Sequence, residues 1–222
     1  MTRDSWVLGR REVGRLGIAY VVFTLVWCAI GWLITRRSTW LPRLDRSIAE
    51  WFVEQRTPTL NSLSFVSSMM ADTLVKIVVT AIIATAMLVR WRRWLEPSMV
   101  VVPLVLEAMT FITVTTIVNR PRPDVPRLDS SPVGSSFPSG HVAAAVAYSA
   151  IAVVIFWRTR SRWIRWTAVA VAAFLPIVVG LARMYRGMHN FTDVVMGAAL
   201  GGASVAVTAV VLHATKRRAA TP

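Results

Sequence analysis

The chain has 222 residues, one domain by length, and 55% of them are hydrophobic, with a formal net charge of +14 carried almost wholly by arginine. Those arginines flank long apolar runs and form no patch interleaved with aromatics, which argues against a nucleic-acid partner. It indicates a membrane protein whose charges fix orientation and meet anionic lipid headgroups. Cys28 is alone, which excludes an intrachain disulfide, and three histidines without a cysteine cluster supply a zinc site poorly, so no metal or other cofactor is expected.

Six segments are long and apolar enough to cross a bilayer, near 15–35, 74–90, 98–118, 140–157, 163–182 and 191–213. The first follows a basic N-terminus, but it has span length, ends at Arg36 and Arg37, and shows no small-residue cleavage site. It reads as a retained span, not a signal peptide. The stretch from 38 to 73 is too long for a turn. Leu44, Ile48, Trp51 and Phe52 recur there at helical spacing, with Asp45, Arg46, Glu50 and Glu54 elsewhere around the wheel. This predicts an amphipathic interfacial helix, which either guides lipid entry or simply packs on the bundle. Glu107 falls in the middle of the third span, where an ionisable group is costly. A structural partner is expected for it, with a proton-relay role as the alternative. Gly197, Gly201 and Gly202 give the sixth span a small-residue face suited to close packing. His213 ends that span as an interface residue, and the tryptophans gather near span ends as an aromatic belt.

Charge sets the orientation. With the N-terminus in the cytoplasm, the cytoplasmic segments hold Arg3, Arg10, Arg11 and Arg15; Arg90, Arg92 and Arg93; Arg158, Arg160, Arg162 and Arg165; and Lys216, Arg217 and Arg218. The outer segments hold fewer. The expectation is an all-α bundle of six transmembrane helices with an extracytoplasmic amphipathic segment. It forms a single domain over 1–222, a multi-pass cell-membrane protein with both termini cytoplasmic.

Three polar clusters then fall together at the outer face. In Arg120-Pro121-Arg122-Pro123, prolines stiffen a loop that projects two guanidiniums, groups suited to bidentate binding of phosphate oxygens. A juxtamembrane stop signal is the plainer reading, but external arginines run against the usual charge bias. Pro138-Ser139-Gly140-His141 opens the fourth span, where helix N–H groups, a hydroxyl and a glycine make an anion cradle and His141 is placed as a general acid. A simple Pro-Ser helix cap has the same look. His189 and Asp193, four residues apart, share a face if both are helical. The carboxylate then accepts one imidazole N–H and leaves the other nitrogen as a nucleophile. Arg183 returns to the same pocket through the short loop before His189.

Together these clusters resemble the type 2 phosphatidic acid phosphatase family, whose pattern is Lys, six residues, Arg-Pro; then Pro-Ser-Gly-His; then Ser-Arg, five residues, His, three residues, Asp. Arg122-Pro123, Pro138 to His141, and Arg183, His189 and Asp193 match it. The resemblance implies a metal-free, two-step hydrolysis of a membrane lipid phosphate or diphosphate. His189 is the implied nucleophile, Asp193 its orienting partner and His141 the proton donor, with Arg122, Arg183, Ser139 and Gly140 holding the phosphate oxygens. Two positions depart from the pattern. The family lysine falls on Thr115 and the serine before the arginine on Ala182. Arg120 or Arg186 is expected to replace the missing cation.

A polyprenyl diphosphate is the favoured substrate because the site faces outward; phosphatidic acid or phosphatidylglycerol phosphate is the alternative. Two other classes share these residues. A non-catalytic membrane protein that binds or transports phosphorylated lipid has the missing lysine in its favour, and both histidines and Asp193 against it. A vanadate-dependent oxidoreductase would use the same anion pocket, but six spans with lipid access count against it.

Overall fold

The computed structural model describes residues 8–131 and 134–219, with side chains described up to His213. Among these residues the chain forms helices α1 (Arg10–Arg36), α2 (Leu41–Glu54), α3 (Pro58–Met69), α4 (Thr73–Trp91), α5 (Leu95–Val118), α6 (Gly140–Ala147), α7 (Ser149–Arg158), α8 (Arg162–Tyr185) and α9 (Phe191–Ala219). Only Tyr148 separates α6 from α7, and the two act as one span. Six helical segments, α1, α4, α5, α6–α7, α8 and α9, are long and apolar enough to cross a membrane. The fold is all-α, and the six expected spans are present. Arg3 and the side chains of Lys216, Arg217 and Arg218, which weigh in the charge count, lie outside the described residues.

Local chemistry sets the helix ends. Thr57 caps α3 by accepting from the Leu60 N–H, with Pro58 at the first helical position, where its missing N–H costs nothing. Asp72 caps α4 by accepting from the Leu74 N–H. Arg92 and Asn119 stop α4 and α5 in the left-handed region, at φ 51° and 45°.

The centre of the bundle is α6, packed against α5, α8 and α9. Its Ala143, Ala144, Ala145 and Ala147 are wholly buried, and these short side chains let neighbouring backbones approach. A Cβ built on Gly197 would sit 2.4 Å from the Ser139 carbonyl oxygen, and one on Gly201 2.3 Å from that of Ala143. A Cβ on Gly202 would meet nothing nearer than 4.0 Å. The small-residue face is therefore two glycines wide, not three. Gly201→Ala must push α9 off α6 and is expected to destabilise the fold by about 1–3 kcal/mol. Gly202→Ala on the same helix is the control. Equal melting temperatures of the two variants in detergent would refute the close contact.

Outside this centre the spans turn apolar side chains outward, as lipid-facing helices do. Leu25, Leu74, Ile117, Trp163 and Val210 are all more than 60% exposed. Only 11% of the α4 span is buried, which places that helix at the rim.

The segment between α1 and α4 differs from expectation in two ways. It forms two helices, α2 and α3, where one was predicted. The inward face of α2 is also rotated. Leu44 and Trp51 are exposed, while Asp45, Ala49 and Phe52 are buried. The cause is Asp45, whose carboxylate is drawn inward by the buried Arg120, so α2 packs against α8 and α9 through a face that contains an acid.

Candidate active site

Backbone hydrogen bonds knit the three polar clusters into one structure. The Ser136 N–H donates to the Arg120 carbonyl at 2.8 Å, and the Ser136 hydroxyl donates to the Pro121 carbonyl at 2.9 Å. The Ser135 hydroxyl accepts from the Arg120 N–H at 3.1 Å. These bonds lay the Arg-Pro loop against the Ser-rich loop. The Ser139 N–H then donates to the Asp193 carbonyl at 3.0 Å, tying the start of α6 to the start of α9. Residues as far apart in sequence as 120 and 193 thus form one wall.

Beside this scaffold lies a cavity of about 410 Å³ whose lining includes Arg122, Gly140, His141, Arg183 and His189, together with Lys76 and Asp129. Gly140 and His141 are the first two residues of α6, so their N–H groups have no carbonyl one turn earlier in that helix. Gly140 is packed under an aromatic ring, since a Cβ there would meet Phe111 at 3.1 Å. Two wholly enclosed polar atoms, Ser139 Oγ and Arg183 Nε, have no hydrogen-bond partner among the described residues. Unsatisfied buried donors are costly unless a ligand completes them.

His189 does not meet Asp193 as the i, i+4 spacing implied. α9 begins at Phe191, so His189 precedes the helix and its ring takes a different partner. Nδ1 lies 2.7 Å from the Ser136 carbonyl oxygen. A carbonyl can only accept, so Nδ1 carries the proton and Nε2 keeps its lone pair. The surroundings favour the neutral ring. Burial first, then the positive Arg183 and Arg122 and nearby His141, hold its pKa well below the ordinary imidazole value, against the opposing Ser136 bond.

Asp193 acts on the turn, not on the ring. Its Oδ2 accepts the Asn190 N–H at 2.8 Å, which fixes the backbone just after His189. Its Oδ1 accepts from Arg120 Nη1 at 2.5 Å. Arg120 is in turn consumed. It also donates to the Thr192 hydroxyl at 2.6 Å and to Asp45 Oδ2 at 2.7 Å, and it is 5% exposed. It borders a separate cavity of about 260 Å³ and is not among the lining residues of the histidine cavity. The structure does not bring Arg120 to the histidine cavity, and its contacts make it a buried strut between α2 and α9.

Arg186, the other expected replacement for the family lysine, is committed as well. It donates to both oxygens of Asp129, to the Asn61 carbonyl, to Ser64 and to the Leu128 carbonyl. Asp129 also accepts from Arg183 Nη1 at 3.1 Å, so one carboxylate aligns two guanidiniums. Burial alone would raise the Asp129 pKa, but Arg186 and Arg183 outweigh it and hold the group below its usual value, ionised. Arg122 donates to the Met188 carbonyl at 2.5 Å and to Ser131 at 2.9 Å. Burial and Arg127 lower its pKa, Asp193 opposes them, and it remains a cation. Thr115 is buried, its hydroxyl without a partner among the described residues, and Ala182 is buried beside Arg183.

Sequence reasoning missed Asp45, Asp129 and Lys76. Asp45 left a faint trace, since 45, 49 and 52 form an i, i+4, i+7 face; Asp129, in a loop, left none. No group of three or more His, Cys, Asp or Glu side chains among the described residues is placed to hold a metal ion.

A family model described as the PAP2 superfamily matches residues 97–217. A comparison with curated proteins finds no significant match. Two solved structures share the fold. The crystal structure of a transmembrane PAP2 type phosphatidylglycerolphosphate phosphatase from Bacillus subtilis has a TM-score of 0.72 at 22% identity, covering 86% of this chain and 92% of that one. That of Aquifex aeolicus LpxE has a TM-score of 0.57 at 22% identity, covering 73% and 92%.

Proposed function

Because the chain belongs to the PAP2 superfamily, we propose that it hydrolyses a membrane lipid phosphate or diphosphate through a phosphohistidine at His189. The observation that carries this reading is the convergence of both histidines with Arg122 and Arg183 on one cavity.

The chemistry follows from the tautomer. Nε2 of His189 attacks phosphorus as the bond to the leaving oxygen breaks, and His141 gives that oxygen a proton. His141, now neutral, takes a proton from water. The resulting hydroxide cleaves the phosphorus–nitrogen bond, releasing inorganic phosphate and restoring His189. Arg122, Arg183, the Ser139 hydroxyl and the Gly140 N–H stabilise the equatorial oxygens, where charge builds during transfer. Asp193 is a positioning residue that holds the His189 turn through Asn190. None of these steps draws on a metal ion.

A lipid substrate is supported by an apolar groove of about 560 Å³ among α4, α7 and α8, lined by Val75, Val79, Ile151, Trp163 and Val171. It includes Met70, whose neighbours Met69 and Ala71 line the phosphate cavity, so a chain in the groove can present its headgroup there. With the N-terminus cytoplasmic, as the arginine distribution favours, the cavity opens on the far side of the membrane, which suits a polyprenyl diphosphate carrier. The Bacillus subtilis structure, titled a phosphatidylglycerolphosphate phosphatase, supports that lipid as the second reading.

Purified protein in detergent should release inorganic phosphate with chelator present. A panel of polyprenyl diphosphate, phosphatidic acid and phosphatidylglycerol phosphate should rank the diphosphate first by kcat/KM. Preference for a phosphatidyl substrate would move the reading to the second choice, and no release from any lipid would overturn the enzyme.

A further inference from the structure

The cavity receives one cation that neither the sequence pattern nor the mechanism uses. Lys76 lies near the start of α4, four residues after the Asp72 cap, and its side chain is one of those lining the cavity. Its Nζ is 3.1 Å from Glu107 Oε1 on α5. Glu107 is wholly buried and its other oxygen has no partner among the described residues. Lys76 keeps 17% of its side chain exposed, so the pair has a sealed carboxylate end and an open ammonium end. One N–H of three reaches Glu107, and no other acceptor among the described residues takes the remaining two.

Such a pair is a poor device for stability. Two ionisable groups inside spans must be desolvated, and apolar residues of like size generally serve a fold as well or better. Its geometry does suit another task, to pin an ammonium at the wall of an anion cavity. Thr115, where the family pattern has its lysine, lies one turn beyond Phe111, which itself lines the cavity. The Thr115 hydroxyl is buried without a partner among the described residues and supplies no cation. The replacements expected from sequence, Arg120 and Arg186, are both spent elsewhere.

We propose that Lys76 is a phosphate-binding residue of this cavity, anchored by Glu107 as its positioning residue, so that α4 delivers the cation that α5 lacks at Thr115. This deepens the phosphatase reading and rests on it.

Orthovanadate, a phosphate mimic, gives the test a readout independent of turnover. Its affinity for the full-length protein in detergent is read from the rise in melting temperature and from inhibition of phosphate release. Lys76→Gln combined with Glu107→Gln removes both charges and leaves a neutral hydrogen-bonded pair, so no bare carboxylate threatens the fold. This double variant should bind vanadate about tenfold more weakly, the size of one charge-assisted contact. Lys76→Arg should stay within about threefold of wild type. Glu107→Gln alone, with Lys76 charged but unanchored, should fall between them, and wild-type affinity there removes Glu107 as a positioning residue. Wild-type vanadate affinity in the double variant overturns the proposal, as does a wild-type protein that vanadate does not stabilise. Should wild type bind vanadate yet release no phosphate, the phosphatase reading falls alone, and the Lys76 comparison still stands on melting temperatures.

Discussion

His189→Ala should abolish covalent phosphate labelling and lower phosphate release by at least about 10⁴-fold, the scale seen when a nucleophile that works with its partners is removed. The fold should tolerate the change. His189 contributes one hydrogen bond, to the Ser136 carbonyl, worth about 1 kcal/mol, and the resulting hole adjoins an existing cavity. Loss of rate without comparable loss of melting temperature is thus the signature of chemistry. The pH dependence of labelling gives a second check. Burial and the facing arginines hold the imidazole pKa well below its ordinary 6.5, so the neutral nucleophile persists as pH falls through that value. The acid limb for His189 labelling should therefore lie below pH 6.5, and a limb at or above it would contradict the neutral ring. Labelling that survives in His189→Ala would remove this residue as nucleophile altogether.

How much of this was legible in the sequence depended on the range of each interaction. The six spans were readable because a bilayer demands an uninterrupted apolar run, a local property of the chain. Gly197 and Gly201 were readable because close packing on α6 demands a missing Cβ at helical spacing, although Gly202 shares the spacing without the contact. The two histidines of the cavity were flagged by motif, but the partner of the His189 ring was not. The i, i+4 inference for His189 and Asp193 presumed a helix through both, and the helix starts two residues after His189. Lys76 at the head of a span looks like any interfacial anchor until α5 brings Glu107 to it across 31 positions. Asp45 belongs to a helix whose apolar stripe predicted its inward face only in part: Ile48 and Phe52 do pack inward, but Leu44 and Trp51 turn out because the buried acid takes a place on that face. The partner in a long-range ion pair is not written into the local pattern of either residue.

The sharpest consequence of such a pair concerns Arg120, where the two readings of one residue predict opposite measurements. Were it a phosphate ligand, Arg120→Met would raise KM and leave stability alone. The structure instead places its guanidinium between Asp45 and Asp193, at 2.7 and 2.5 Å, with both carboxylates at most 2% exposed. Removing the cation strands two buried negative charges near each other, and breaking a buried pair in this way costs about 3–5 kcal/mol. Arg120→Met should therefore melt well below wild type and lose activity through misplacement of the His189 turn, which Asp193 holds through Asn190. Asp45→Asn added to Arg120→Met should recover part of the lost melting temperature, since one stranded charge disappears while the amide can still bond Thr192, as Asp45 does now. A melting temperature equal to wild type in Arg120→Met, accompanied by a raised KM, would return Arg120 to the phosphate clamp and remove the strut between α2 and α9.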